Sequence, residues 1–135
     1  MKLRILAADD NARFLQKMIS ILGTDFEVVA SAADGQSALE CIRNSRPDIA
    51  VLDLEMPLLN GIDVAQALIS QGLNSKVIIC SVETDAEIVN AALALGVMGY
   101  VFKSKIESDL VSAVRRVAVG QPFVSGNGDS HFRTK

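Results

Sequence analysis

Five short apolar runs constrain this chain more than any other feature. They are Leu3 to Ala8, Phe26 to Ala30, Ile49 to Leu52, Val77 to Cys80 and Gly99 to Phe102. Each is too short for a helix and too uniformly apolar for a strand with one wet face. Continuous apolar strands of this kind suit a parallel sheet covered on both sides. Between the runs, apolar residues recur at helical spacing. The stripes are Phe14, Met18, Ile21 and Leu22, then Ala38, Leu39 and Ile42, then Ile62, Ala65, Leu68 and Ile69. Ile88, Ala91, Ala92 and Leu95 follow, and Leu110, Val114 and Val117 make the last. Gly23, Gly72, Gly96 and Gly120 stand just beyond these stripes, where a left-handed residue closes a helix. Thr84 or Asp85, and Ser108, are candidate N-caps. The alternation predicts a doubly wound α/β domain, with five parallel strands in the order 2-1-3-4-5 and helices on both faces.

Composition narrows the function classes. The chain has 135 residues, 50% hydrophobic and 21% charged, which is enough to bury one core. A net charge of -3 argues against broad electrostatic binding of nucleic acid by this segment. The longest uncharged apolar stretch, Ala91 to Phe102, falls short of the roughly 18 residues that span a membrane. The start, Met1-Lys2-Leu3-Arg4, shows no signal-peptide cleavage pattern. Cys41 and Cys80 make no disulfide framework and no metal spacing, so they read as small buried hydrophobes in a reducing, cytoplasmic setting. Met18, Met56 and Met98 read as packing residues, and His131 as a solvated residue of the tail. The folded domain is expected over residues 1–121, with 122–135 a linker or disordered tail.

In an open parallel sheet, ligands sit beyond the carboxyl ends of the strands, at the point where strand order reverses. Asp9 and Asp10 follow the first run, Asp53 the third, Ser81 the fourth and Lys103 the fifth. Taken singly, the acid pair could cap a helix, Ser81 could serve a turn, and Lys103 could be solvated. Together they fall on one rim. Two carboxylates about 5 Å apart at an effective dielectric near 20 repel by roughly 3 kcal/mol, so three of them call for a cation or a proton. Oxygen-only ligands at a wet rim favour Mg²⁺ over Zn²⁺. A hydroxyl and an ammonium opposite would hold a phosphoryl group, with Asp53 as nucleophile.

At this point the sequence resembles the receiver domain of bacterial response regulators. The matching elements are Asp9-Asp10, Val51-Leu52-Asp53-Leu54-Glu55-Met56-Pro57 with Gly61, Ser81, and Gly99-Tyr100-Val101-Phe102-Lys103, within about residues 3 to 119. Lys103-Ser104 in place of the common Lys-Pro, and Arg115-Arg116 before Val117, look most like the NarL/LuxR-type subfamily. Ser104 in place of proline counts against a cis bond after Lys103.

The resemblance implies a switch rather than a turnover enzyme. A sensor histidine kinase would phosphorylate Asp53, and Mg²⁺ would be held by Asp9 or Asp10, by Asp53 and by the backbone carbonyl of Glu55. Ser81 and Lys103 would bind the phosphoryl group, while Ser81 and Tyr100 would carry the change. For Tyr100 a half-buried core aromatic is the competing reading. Glu55 and Glu83 add negative charge around the path of an attacking water, which would slow loss of the phosphoryl group. Regulators of this subfamily bind DNA through a helix-turn-helix output domain, for which residues 122–135 leave no room. Ile19, Val111 and Val119 could support a homodimer. Competing functions are a stand-alone receiver acting by protein contacts, a small phosphohydrolase with an Asp nucleophile, and a flavin-binding module. The hydrolase pattern wants Asp where Glu55 stands, and the flavin pattern wants a Ser/Thr/Gly-rich loop where Asp9-Asp10-Asn11-Ala12 stands.

Overall fold

A computed structural model describes residues 2–126. In chain order the elements are β1 (Arg4–Ala8), α1 (Ala12–Gly23), β2 (Glu27–Ala32), α2 (Gly35–Ser45), β3 (Ile49–Asp53) and α3 (Gly61–Ser70). They continue with β4 (Lys76–Ser81), α4 (Ala86–Ala94), β5 (Gly99–Phe102), a 3₁₀ turn (Lys103–Lys105), α5 (Ile106–Ala118) and β6 (Phe123–Val124). All strand pairs are parallel, in the order β2-β1-β3-β4-β5-β6. The α/β fold expected from the apolar runs is present, with one strand more than the five expected.

The uniform runs are explained by two cores. Alternate residues of a strand point to opposite faces. Leu6, Ala8, Ala50, Leu52, Val77 and Ile79 therefore pack with α2, α3 and α4. Their neighbours Ile5, Ala7, Ile49, Val51, Ile78 and Cys80 pack with α1 and α5. Met18 and Met56 are buried, Met98 leans on the second core, and Cys80 is fully covered. No helix among the described residues is long and apolar enough to cross a membrane.

Several local expectations shift. Asp85 caps α4, accepting the Glu87 N–H at 2.8 Å, but Lys105 rather than Ser108 precedes α5. Ser108 lies inside the first turn, where its hydroxyl donates to the Lys105 carbonyl. Gly72, Gly96 and Gly120 have positive φ, whereas Gly23 is still helical and Arg46 closes α2 in the left-handed region. Ile19 and Val111 pack against the second core, so Val119 alone of the proposed dimer residues is strongly exposed. No cis peptide occurs among the described residues, so the Lys103–Ser104 bond is trans.

Past the expected boundary at 121 the chain adds one more short strand. Phe123 and Val124 pair with Gly99 and Tyr100, and Ser125 is fully buried. Two residues are too few to give a periodic signal, and their strand is defined by the β5 edge it covers. The rest of the expected tail, with His131, lies outside the described residues.

One glycine ties the fold to the rim. A Cβ on Gly61 would stand 2.6 Å from the Asp53 carbonyl oxygen and 2.6 Å from Ile79 Cδ1. The Gly61 N–H already donates to the Leu54 carbonyl at 2.9 Å, so the backbone has little room to retreat. Gly61→Ala is expected to destabilise the domain by about 2 kcal/mol through overpacking, read from chemical denaturation. An unchanged midpoint would show that the β3–α3 loop yields freely.

Candidate functional site

The five rim residues are placed by strand ends. β1 ends at Ala8, β3 at Asp53 and β4 at Ser81, while Lys103 follows β5 directly. Because β1 lies beside β3, one carboxylate oxygen from each of Asp9, Asp10 and Asp53 falls within 4.8 Å of the others. The helix-cap reading of the acid pair does not hold. Asn11 caps α1 and accepts the Phe14 N–H at 2.9 Å, leaving the acids turned to one another.

Their environments differ. Asp9 is fully buried and Asp10 exposed. Asp9 Oδ1 accepts the Asn11 N–H at 2.8 Å, while Oδ2 makes no hydrogen bond of good angle and faces the Lys103 ammonium at 2.8 Å. Lys103 Nζ also stands 3.4 Å from Asp53 Oδ1. Burial pushes the Asp53 carboxyl up to about 6, the Asp9 charge adds to that, and Lys103 with the Glu55 N–H opposes it. Burial alone would lower the Lys103 ammonium, but Asp9 and Asp53 outweigh it and leave the group above its ordinary value.

Ser81 is buried, and its Oγ accepts the Glu83 N–H at 3.0 Å, the turn role expected of it as the bland alternative. The hydroxyl proton is not consumed by that bond, so Ser81 keeps a donor. Tyr100 is fully buried rather than half-buried, and its hydroxyl donates to the Glu83 carbonyl at 2.9 Å. Burial is the main reason its phenol is held above the ordinary value. Ser81 and Tyr100 thus grip the same residue of the β4–α4 loop. One Glu83 carboxylate oxygen accepts the Asp85 N–H at 3.0 Å, while Glu55 is exposed.

Phe14 was not singled out in the sequence beyond its place in the first stripe. Its ring lies under the Lys103 ammonium, 4.3 Å from centroid to Nζ, and adds a cation–π contact to the two carboxylates that hold that group. The amphipathic spacing of α1 placed that ring near the strand ends but could not show the lysine above it.

The arrangement is a carboxylate with a raised pKa, two further acids and one cation at a switch point. The response regulator receiver domain family matches residues 5–115. The chain belongs to that family. As a receiver domain it is similar to the transcriptional regulatory protein DegU of Brevibacillus brevis, 33% identical over 91% of this chain and 53% of the relative. It is also similar to the nitrate/nitrite response regulator protein NarL of Escherichia coli, 32% identical over 90% of this chain and 57% of that protein. The chain thus spans about half the length of these curated relatives. Among solved structures, the signal receiver domain of NarL from Mycobacterium tuberculosis superposes with a TM-score of 0.84 at 35% identity, covering 88% of this chain and 98% of that one. A LuxR-family two-component response regulator from an Aurantimonas species gives 0.88 at 26%, covering 94% and 92%. This is the receiver domain of a NarL/DegU-like two-component response regulator.

Proposed function

We propose that Asp53 is the phosphoacceptor of this receiver and that a sensor histidine kinase is its donor. An Asp53 carboxylate oxygen attacks phosphorus, the P–N bond of a phosphohistidine breaks, and the imidazole leaves and takes up a proton. The product is an acyl phosphate on Asp53. The observation that carries this reading is the Lys103 ammonium, 2.8 Å from Asp9 and 3.4 Å from Asp53, opposite three clustered acids.

Lys103 would neutralise one phosphoryl oxygen, and the Ser81 hydroxyl would donate to another. Mg²⁺ suits the acid cluster, whose donors are hard oxygens and whose charge Lys103 alone does not balance. Asp9 or Asp10, Asp53 and the Glu55 backbone carbonyl would hold it. When bound, it supplies positive charge that offsets the acids and the incoming phosphoryl oxygens. Drawing Ser81 toward the phosphoryl group would pull on Glu83 and hence on the Tyr100 hydroxyl, which supports a switch role for both. Output would pass to a DNA-binding helix-turn-helix domain beyond this segment, as the names of the relatives as transcriptional regulators suggest. A homodimer would draw on the strongly exposed Val119, with the partly buried Ile19 and Val111 adding what surface they leave open.

Incubation with acetyl phosphate and Mg²⁺ tests the assignment. The intact mass of the wild type is expected to rise by one phosphoryl group, and that of Asp53→Ala to stay unchanged. A wild type that gains nothing, or a variant that gains as much, would overturn it.

A further inference from the structure

The β6 strap does more than cover an edge. Ser125, fully buried, accepts the Phe102 N–H on Oγ at 3.0 Å and donates from the same hydroxyl to Asp109 Oδ2 at 2.7 Å. Its own N–H donates to the Tyr100 carbonyl at 2.9 Å. Phe102 immediately precedes Lys103, and Asp109 lies in the first turn of α5. One hydroxyl therefore joins the two ends of the segment that carries Lys103. Ser108 Oγ stands 3.0 Å from the other Asp109 oxygen and shares its one proton between that oxygen and the Lys105 carbonyl. Val124 packs beside Tyr100 and Phe102 in the first core. The strap is flanked by Gly120 and Gly126, both at positive φ, so its ends can turn where its middle is fixed.

We propose that Ser125 is a positioning residue for Lys103, so that filling the phosphoryl site and closing the β6 strap strengthen each other. The inference rests on the phosphoacceptor reading above. A ligand drawn to Lys103 favours the loop geometry that the Ser125–Asp109 bond holds. Coupling of this kind is reciprocal, since the same free energy links both equilibria. The strap ends level with the last residues of β5. Whatever follows Gly126 therefore starts from the phosphoacceptor side of the sheet, through a clasp that feels the occupancy of the site.

Beryllofluoride with saturating Mg²⁺ serves as the probe, on the whole chain. Ser125→Ala and Asp109→Ala are each expected to weaken its binding about fivefold, a typical coupling between sites. Asp109→Asn keeps an oxygen that can accept from Ser125 and is expected to bind nearly as wild type. Beryllofluoride should slow amide exchange at Val124 and Ser125 in the wild type and in Asp109→Asn, but not in the two alanine variants. Should Ser125→Ala fail to fold, the Asp109 pair decides alone. Alanine variants that bind as wild type does, with strap exchange indifferent to beryllofluoride, would overturn the clamp and leave the phosphoacceptor assignment standing. A wild type that binds no beryllofluoride would remove both.

Discussion

Lys103→Ala is expected to cost the domain both stability and phosphorylation. The Asp9 side chain is fully buried, and Lys103 is the cation paired with it, itself only 15% exposed. Removing that ammonium leaves Asp9 and Asp53 facing each other across a poorly solvated gap. Breaking a buried pair by deleting one partner costs about 3 kcal/mol or more, because the surviving charge stays desolvated. The loss should appear as a lower denaturation midpoint in EDTA. Added Mg²⁺ should restore much of it, since a divalent ion meets the same uncompensated oxygens. Phosphorylation by acetyl phosphate should also slow, by about 100-fold, as it does when one preorganised donor is taken from a developing oxyanion. A variant as stable as wild type in EDTA would mean that Asp9 finds its compensation elsewhere.

The second large effect concerns Asp53 in the absence of metal. Its carboxyl is lifted to about 6 from an ordinary 3.8, first by burial and then by Asp9. The folded state therefore holds a proton between about pH 4 and 6 that the unfolded chain has released. Stability contributed by this group is fully present below that window and falls as pH rises through it. The whole shift would correspond to about 3 kcal/mol, and partial screening at the rim reduces this to about 2 kcal/mol. Asp53→Asn removes the titrating group. In EDTA the variant should be more stable than wild type at pH 7.5 and nearly equal to it at pH 4.5. Its melting temperature should also respond less to Mg²⁺. A variant that melts below wild type at pH 7.5 in EDTA would contradict this account of the raised carboxyl. A cation or a proton relieves the crowding of carboxylates, which is what makes such a site tolerable.

Much of the site was legible because strand ends in a parallel sheet are an address. Once Leu3 to Ala8 and Ile49 to Leu52 read as neighbouring strands, Asp9, Asp10 and Asp53 had to meet. Less legible was which way helices turn their faces. Ile69, Ile88 and Leu95 were read into inward stripes, yet Ile69 and Leu95 are exposed and Ile88 only just less so, while Val64 and Val89 are buried. α4, with the sequence Ala-Glu-Ile-Val-Asn-Ala-Ala-Leu-Ala, is apolar nearly all round, so no single direction stands out. β2 was expected at Phe26 to Ala30 and runs from Glu27 to Ala32. It is an edge strand with an irregular register opposite Ile5 and Leu6, which blurs its apolar pattern. Long-range pairings such as Ser125 with Asp109, or Phe14 with Lys103, leave no periodic trace at all.

The sixth strand also bears on how such a domain could be moved between proteins. A recombination point at Gln121, just after the last helix, would look harmless in the sequence. It would strip Phe123 and Val124 from β5 and leave that strand's N–H and C=O groups open along the sheet margin, where another chain could add itself. A cassette that keeps β5 covered would therefore run at least through Ser125, and a shorter graft would trade a signalling part for a sticky one.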